Sequence, residues 1–172
     1  MYAAHLAAGV AIHSRVPKAP PAAILAGAFV PDFLWIVFAV AGLEPAGPGR
    51  FFDDWSHSLV MTLVWASLFA LLFVNRGRAV AIAAWVAVLS HFVLDMPIHP
   101  KDLALYPHSA IHLGWGLWKI GRTSYWWAQL GVVAVLLAFY AVSARRSGLA
   151  TRRIAWTCGY VVAFHAMAFP AG

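Results

Sequence analysis

The chain has 172 residues, of which 63% are hydrophobic and 10% charged, and its mean hydropathy is +0.77. A soluble domain averages about 25% charged residues, so this composition excludes an ordinary soluble enzyme and predicts one all-α, polytopic membrane helical bundle over residues 1–172. The formal net charge of +6 does not indicate a nucleic-acid partner, because most basic residues lie in short breaks between apolar runs.

Apolar runs predict about six membrane segments. They cover residues 2–14, 21–43, 55–74, 79–96, 124–143 and 151–169. The first is short and is closed by Arg15, Pro17 and Lys18, so it is either a tilted span or an interfacial piece. The only long predicted loop, 97–123, contains "HLGWGLWKIG", an aromatic stretch broken by glycines that is typical of the membrane interface.

Positive charge predicts the orientation of these segments. Eight of the twelve basic residues fall in or beside the loops after the first, third and fifth segments: Arg15, Lys18, Arg76, Arg78, Arg145, Arg146, Arg152 and Arg153. Short loops rich in Lys and Arg stay in the cytoplasm, so both termini are expected on the outer side of a cytoplasmic membrane. If the first segment does not span, the N-terminus lies inside instead.

Histidines and acids collect at the predicted outer ends of the segments. His57 opens the third segment, His91 and Asp95 end the fourth, and Asp32 lies near the middle of the second. The i, i+4 spacing of His91 and Asp95 places both on one helix face. A charged group at bilayer depth costs roughly 3 kcal/mol or more unless it is paired or solvated. Nitrogen and oxygen donors from separate helices suit zinc, or a harder divalent ion where carboxylates dominate, so these four residues are candidate metal ligands.

Two geometric expectations follow. Asp32 should approach His57 and the His91–Asp95 pair, because they are its nearest partners at a compatible depth. Pro97 lacks a backbone donor and disfavours the preceding helical turn, so the fourth segment should end close to Asp95. His99 then belongs to the loop, where it supports a carboxylate or a carbonyl instead of binding metal directly.

Several motifs resemble those of a known family. These are "HLAAG", "PDFLW", "WSHSL", "LSHFVLDMPIHPKDLALYPH" and "GWGLW". They resemble small bacterial integral membrane proteins related by pattern to the predicted membrane-bound metal-dependent hydrolases, and more distantly the zinc-dependent phospholipase C group. The resemblance covers roughly residues 1–118 and implies metal ligands at His5, Asp32, His57, His91 and Asp95. One departure is that Phe52, Asp53 and Asp54 replace the His-Arg-Gly that often precedes the corresponding histidine motif.

The sequence and the resemblance together predict a hydrolase of the bacterial cytoplasmic membrane that uses a divalent ion, with zinc favoured. Its expected substrate is a lipid-linked phosphoester at the outer leaflet. Asp54 or His108 would accept or deliver the proton, and Lys101 and Arg122 would hold the phosphate.

The alternative is a non-catalytic accessory subunit of a larger membrane complex, in which the His/Asp cluster is structural. Haem binding and metal transport are disfavoured, because carboxylates crowd the cluster and the cytoplasmic half has almost no polar residues.

Overall fold

The computed structural model describes residues 2–47, 50–99 and 103–169. Within these residues the chain forms eight α-helices: α1 (Tyr2–Arg15), α2 (Pro21–Gly27), α3 (Val30–Val40), α4 (Asp54–His57), α5 (Leu59–Leu71), α6 (Arg78–Asp95), α7 (Arg122–Arg146) and α8 (Thr151–Ala166). Short 3₁₀ turns cover Val74–Arg76 and Leu117–Ile120. A two-residue antiparallel ladder pairs β1 (Ala46–Gly47) with β2 (Arg50–Phe51). The helical fold class is confirmed.

Two helices are long and apolar enough to cross a membrane. They are α6, with 18 residues, and α7, with 25 residues, or about 27 and 37 Å. The bent pair α2 and α3 becomes a third when it is counted as one span, whereas α5 is apolar but has only 13 residues. The predicted count of six spanning segments is therefore not confirmed.

The first predicted segment is a packed helix at the centre of the fold. Helix α1 contacts α2, α6, α7 and α8. Its buried face consists almost entirely of small residues, including Ala4 and Ala7, and a Cβ atom at Gly9 would lie 2.9 Å from Leu25 Cδ2. Small side chains let helix backbones approach closely, and here they bring the N-terminal end of α1 among the other helices.

The second predicted segment, 21–43, is broken, although its apolar run predicted one continuous segment. Helices α2 and α3 meet at a bend of 60°. Pro31 lies in the first turn of α3, where its missing N–H costs nothing, but it cannot continue α2. The bend places Asp32 in the first turn of α3, where the positive end of the helix dipole favours a carboxylate.

The third predicted segment, 55–74, is also interrupted. Helix α4 ends at His57, Ser58 is extended, and α5 begins at Leu59. The first amide groups of α5 are not left unpaired, because Leu59 and Val60 donate to the carbonyl oxygens of Ala104 and Leu105 in the long loop. The loop is thereby fixed beside the end of α4 that carries His57.

Helix α6 ends at Asp95, as Pro97 predicted. The backbone then turns tightly, with the amides of Ile98 and His99 both donating to the Asp95 carbonyl oxygen. His99 therefore lies in the turn beyond the end of α6, one helical turn from Asp95.

Candidate metal centre

Five residues expected to bind metal come together from four helices. His5 lies on α1, Asp32 on the first turn of α3, His57 at the end of α4, and His91 and Asp95 in the last turns of α6. His5, His57, His91 and Asp95 are buried, whereas the Asp32 side chain keeps 24% of its surface exposed. The expectation that Asp32 approaches the other groups is confirmed.

The Asp95 carboxylate is shared by three imidazoles. Oδ1 lies 3.2 Å from His5 Nε2, and Oδ2 lies 3.0 Å from His91 Nε2. The turn after α6 brings His99 Nε2 to 3.6 Å from the same Oδ2. His99 thus contacts the cluster through Asp95, as its place after Pro97 predicted.

Asp32 faces the other side of the cluster. Its Oδ1 lies 3.6 Å from His57 Nε2 and 3.7 Å from His91 Nε2. The two carboxylates therefore flank the His91 ring, one from α3 and one from its own helix.

The donor atoms fit a divalent ion. One donor atom each from His5, Asp32 and His91 lie within 4.8 Å of one another, and so do one each from His57, His91 and Asp95. Ligands at 2.0–2.1 Å in a tetrahedral zinc site are separated by about 3.3 Å, close to the N···O distances of this cluster.

Several of these atoms also lack the hydrogen bonds that burial normally requires. Within the described part of the chain, His5 Nδ1 and Nε2, His91 Nε2 and Asp32 Oδ2 are buried and make no hydrogen bond. His5 Nε2 and His91 Nε2 approach the Asp95 oxygens in distance but not in hydrogen-bond direction. A cation would satisfy one nitrogen of each ring together with the Asp32 oxygen.

A hydrogen bond at Nδ1, the ring nitrogen that faces away from the carboxylates, fixes the orientation of His91. Its Nδ1 lies 2.8 Å from the carbonyl oxygen of Ala28, at the bend between α2 and α3. A carbonyl oxygen only accepts, so Nδ1 carries the proton and Nε2 is the lone-pair donor that faces the carboxylates. The ring stacks on His5 with centroids 3.9 Å apart and an interplanar angle of 10°. A carbonyl behind a histidine is the usual outer support of a metal ligand.

Glu44, which the sequence pattern did not place in the cluster, is linked to His57 through one serine. Glu44 is fully buried, and its Oε2 accepts a 2.8 Å hydrogen bond from Ser56 Oγ. Ser56 Oγ lies 2.7 Å from His57 Nδ1. Burial raises the pKa of Glu44 above that of an ordinary glutamate, although its hydrogen bonds from Ser56 act in the opposite direction. The only sequence signal was an acid directly after an apolar segment.

Asp54 and His108, the expected proton carriers, are joined to each other. The Asp54 Oδ2 accepts a 2.7 Å hydrogen bond from the His108 backbone N–H, and the His108 ring stacks on Phe52. Neither Asp54 nor His108 is among the described residues that line the cavity beside the cluster, whereas the neighbouring Asp53 is. Their role in proton transfer stays a prediction.

A cavity of about 660 Å³ lies against the candidate ligands. Asp32, His57, Asp95 and His99 form part of its wall. Another part of the wall comes from the N-terminal half of α7 and from α8, and it includes Arg122, Tyr125, Trp126, Gln129 and His165. Arg122 was expected near a phosphate, but the other four were missed. Their signal is the polar stripe Arg122, Tyr125 and Gln129 at helical spacing in an otherwise apolar run. Lys101, its expected partner, lies outside the described residues.

Comparison of the chain with family models, curated proteins and solved structures gives no match. The function is therefore inferred from the geometry of this site.

Proposed function

We propose that this protein is a metal-dependent hydrolase of the bacterial cytoplasmic membrane that acts on a lipid-linked phosphoester at the outer leaflet. The main support for the proposal is that five candidate ligands converge beside one cavity: His5, Asp32, His57, His91 and Asp95. The positively charged residue Arg122 lines the same cavity. The sequence resemblance to membrane-bound metal-dependent hydrolases favours the same class of reaction.

The cavity walls have complementary chemistry for such a substrate. In one part of the wall, nitrogen and oxygen donors suit a divalent ion, which would lower the pKa of a water molecule and polarise a phosphoryl oxygen. In another part, the Arg122 guanidinium can hold the phosphate, and Tyr125 and Gln129 supply further hydrogen-bonding groups. Zinc is the preferred ion because imidazoles outnumber carboxylates among the five donors.

Hydrolysis also needs a proton acceptor. Water would add to phosphorus, the ester P–O bond would break, and the leaving alcohol would take up a proton. We assign proton transfer to Asp53, whose buried carboxylate belongs to a residue of the cavity wall. Asp54 and His108 then hold the long loop through their hydrogen bond, unlike the role expected from sequence.

A place in the membrane is supported by the surface of the helices. Large aromatic side chains are exposed at and beside the cavity wall: Tyr2 lines it, and exposed Trp127 directly follows Trp126, which also lines it. Aromatic residues collect at both membrane interfaces. The site therefore belongs at the level of one interface, where a lipid headgroup is within reach.

The basic residues support one orientation. Ile12 and Val16 at the end of α1 pack with Val80 at the start of α6, and Ser143 near the end of α7 donates to the Ser14 carbonyl oxygen. The basic ends of α1, α6 and α7 thus lie together, away from the cluster. By the positive-inside rule this end is cytoplasmic and the cluster is external. In this arrangement six segments would cross or enter the membrane.

The cavity favours an enzyme over an accessory subunit with a structural cluster. A structural metal site is closed on all sides, whereas a catalytic site keeps one open position. Asp32 is partly exposed and, with His57 and Asp95, borders open space.

The test is hydrolysis by the purified protein in lipid nanodiscs. Glycerophospholipids and polyprenyl diphosphates would be supplied singly, with product detection by mass spectrometry before and after chelation and zinc addition. We expect one lipid class to be cleaved, activity to vanish on chelation and return with zinc, and Asp95→Asn to be inactive. Turnover that persists in Asp95→Asn or after chelation, or no turnover of any lipid, would contradict the proposal.

A further inference from the structure

We propose that Glu44 and Ser56 are positioning residues that hold His57 in the tautomer whose Nε2 carries the lone pair. The inference rests on the proposed function, because it assigns these residues a purpose in preparing the metal ligand His57. Neither side chain contacts the carboxylates of the cluster in the described structure; both act through His57.

The direction of each hydrogen bond follows from counting protons. Ser56 Oγ has one proton and three close neighbours: Glu44 Oε2 at 2.8 Å, the Asp53 carbonyl oxygen at 3.1 Å and His57 Nδ1 at 2.7 Å. A carboxylate and a carbonyl oxygen can only accept, so the serine proton goes to one of them. His57 Nδ1 must then be the donor to Ser56 Oγ.

The consequence appears on the other side of the ring. With the proton on Nδ1, the lone pair of His57 is on Nε2, the atom that lies 3.6 Å from Asp32 Oδ1. A metal ligand must be a neutral imidazole with its donor nitrogen unprotonated, and an outer hydrogen bond to the other nitrogen fixes that state. His91 receives the same support from a backbone carbonyl, so both rings face the cluster through Nε2.

The local fold brings Glu44 to this position. Gly42 has a φ of +75°, and the amides of Gly42 and Leu43 donate to the carbonyl oxygens of Ala39 and Phe38. This pattern is a Schellman motif, which ends α3 and turns the chain back. Glu44 then accepts from both the backbone N–H and the hydroxyl of Ser56, each at 2.8 Å. Two bonds to one residue hold the carboxylate in a fixed place.

Ser58 provides a matched control on the other side of His57. Both serines of the "SHS" motif are fully buried. Ser56 Oγ has the three partners above, whereas Ser58 Oγ makes no hydrogen bond to any described residue. Removing either hydroxyl deletes the same atom from a buried site, but only Ser56 should affect His57.

The experiment measures the tautomer of His57 directly. Metal-free protein with ¹⁵N-labelled histidine would be examined by NMR, with His57 assigned through His57→Gln, and zinc affinity would be measured by chelator competition. In wild type we expect the proton on Nδ1. Ser56→Ala and Glu44→Gln should give a mixture or the Nε2-protonated form and bind zinc about 10- to 100-fold more weakly. Ser58→Ala should match wild type in both measurements.

Glu44→Gln keeps the shape of the side chain, so it carries the test if Ser56→Ala does not fold. A wild-type tautomer and wild-type zinc affinity in Glu44→Gln would overturn the inference, and so would Nε2 protonation in wild type. If wild type holds the Nδ1 proton and Glu44→Gln loses it, but wild type binds no zinc, the positioning stands and the proposed metal function fails.

Discussion

Ala28 and His91 are joined by a hydrogen bond of 2.8 Å between a backbone carbonyl oxygen and ring Nδ1. The carbonyl lies where α2 ends and the chain bends by 60° towards α3. One local feature, the helix break before Pro31, therefore both orients the central imidazole and places Asp32 beside it. The candidate metal centre depends on this irregularity of the backbone.

Restoring the helix across the break should damage the site. In Pro31→Ala the backbone regains an amide donor and loses the ring clash, so α2 and α3 can join and the Ala28 carbonyl can be taken up within the helix. We expect zinc affinity, measured by chelator competition, to fall about 10- to 100-fold. Pro21→Ala is the control, because Pro21 is the first residue of α2 and an unpaired amide there is tolerated. Equal losses in both variants would contradict this role of the break.

Substitutions of Asp53 and Asp54 should distinguish a residue that transfers a proton from a residue that holds the loop. Asp53 lines the cavity, whereas Asp54 accepts from the His108 amide. We expect Asp53→Asn to lower kcat by roughly 100-fold or more, as loss of a proton acceptor does. Asp54→Asn should mainly lower the free energy of unfolding, by about 1 kcal/mol, because asparagine keeps an acceptor oxygen but loses the charge that strengthens the hydrogen bond. A larger loss of kcat in Asp54→Asn would return the proton transfer to Asp54 and His108.

Replacing Gly27 or Gly131 by alanine should change the stability of the protein in opposite directions. A Cβ atom at Gly27 would lie 3.0 Å from both Ala87 Cβ and Phe69 Cε1, whereas one at Gly131 would meet nothing within 4 Å. Gly27→Ala should destabilise the protein by about 1 kcal/mol or more through overpacking. Gly131→Ala, inside α7, should stabilise it by about 0.5–1 kcal/mol through helix propensity. The order of the two melting temperatures in detergent checks this, and the reverse order would contradict the packing of α2 against α5 and α6.

Arg122 should act on substrate binding. If its guanidinium holds the phosphate, Arg122→Ala loses a charge-assisted bond and KM should rise about 10- to 100-fold with a smaller change in kcat. Arg146→Ala removes the same charge at the other end of α7, and we expect it to leave KM unchanged. A KM that rises equally in both variants would indicate a general charge effect on association with lipid.

Sequence was sufficient for the parts of the site that depend on local rules. The spacing of His91 and Asp95 placed them on one face of α6, and Pro97 fixed the end of that helix. The high free-energy cost of a lone intramembrane carboxylate predicted that Asp32 lies close to the histidines. The structure confirms this proximity.

The other parts of the site depend on contacts between residues distant in sequence, which hydrophobic periodicity does not predict. Glu44 meets Ser56 only because a glycine turn ends α3, and Gln129 meets the cavity only through the packing of α7 on α1. The break in the second segment had a visible signal in Pro31, but the apolar composition on both sides resembled one continuous span.

The most direct test of the central claim is the metal content of purified wild type and Asp95→Asn, measured by mass spectrometry on samples prepared together. Asparagine keeps the shape of Asp95 but removes the charge shared by His5, His91 and His99. We predict a stoichiometric divalent ion, zinc, in wild type and none in Asp95→Asn, with His99→Gln weakened only about 10- to 100-fold. Equal metal content in wild type and Asp95→Asn would contradict the metal centre and leave His91 and Asp95 as a buried polar pair.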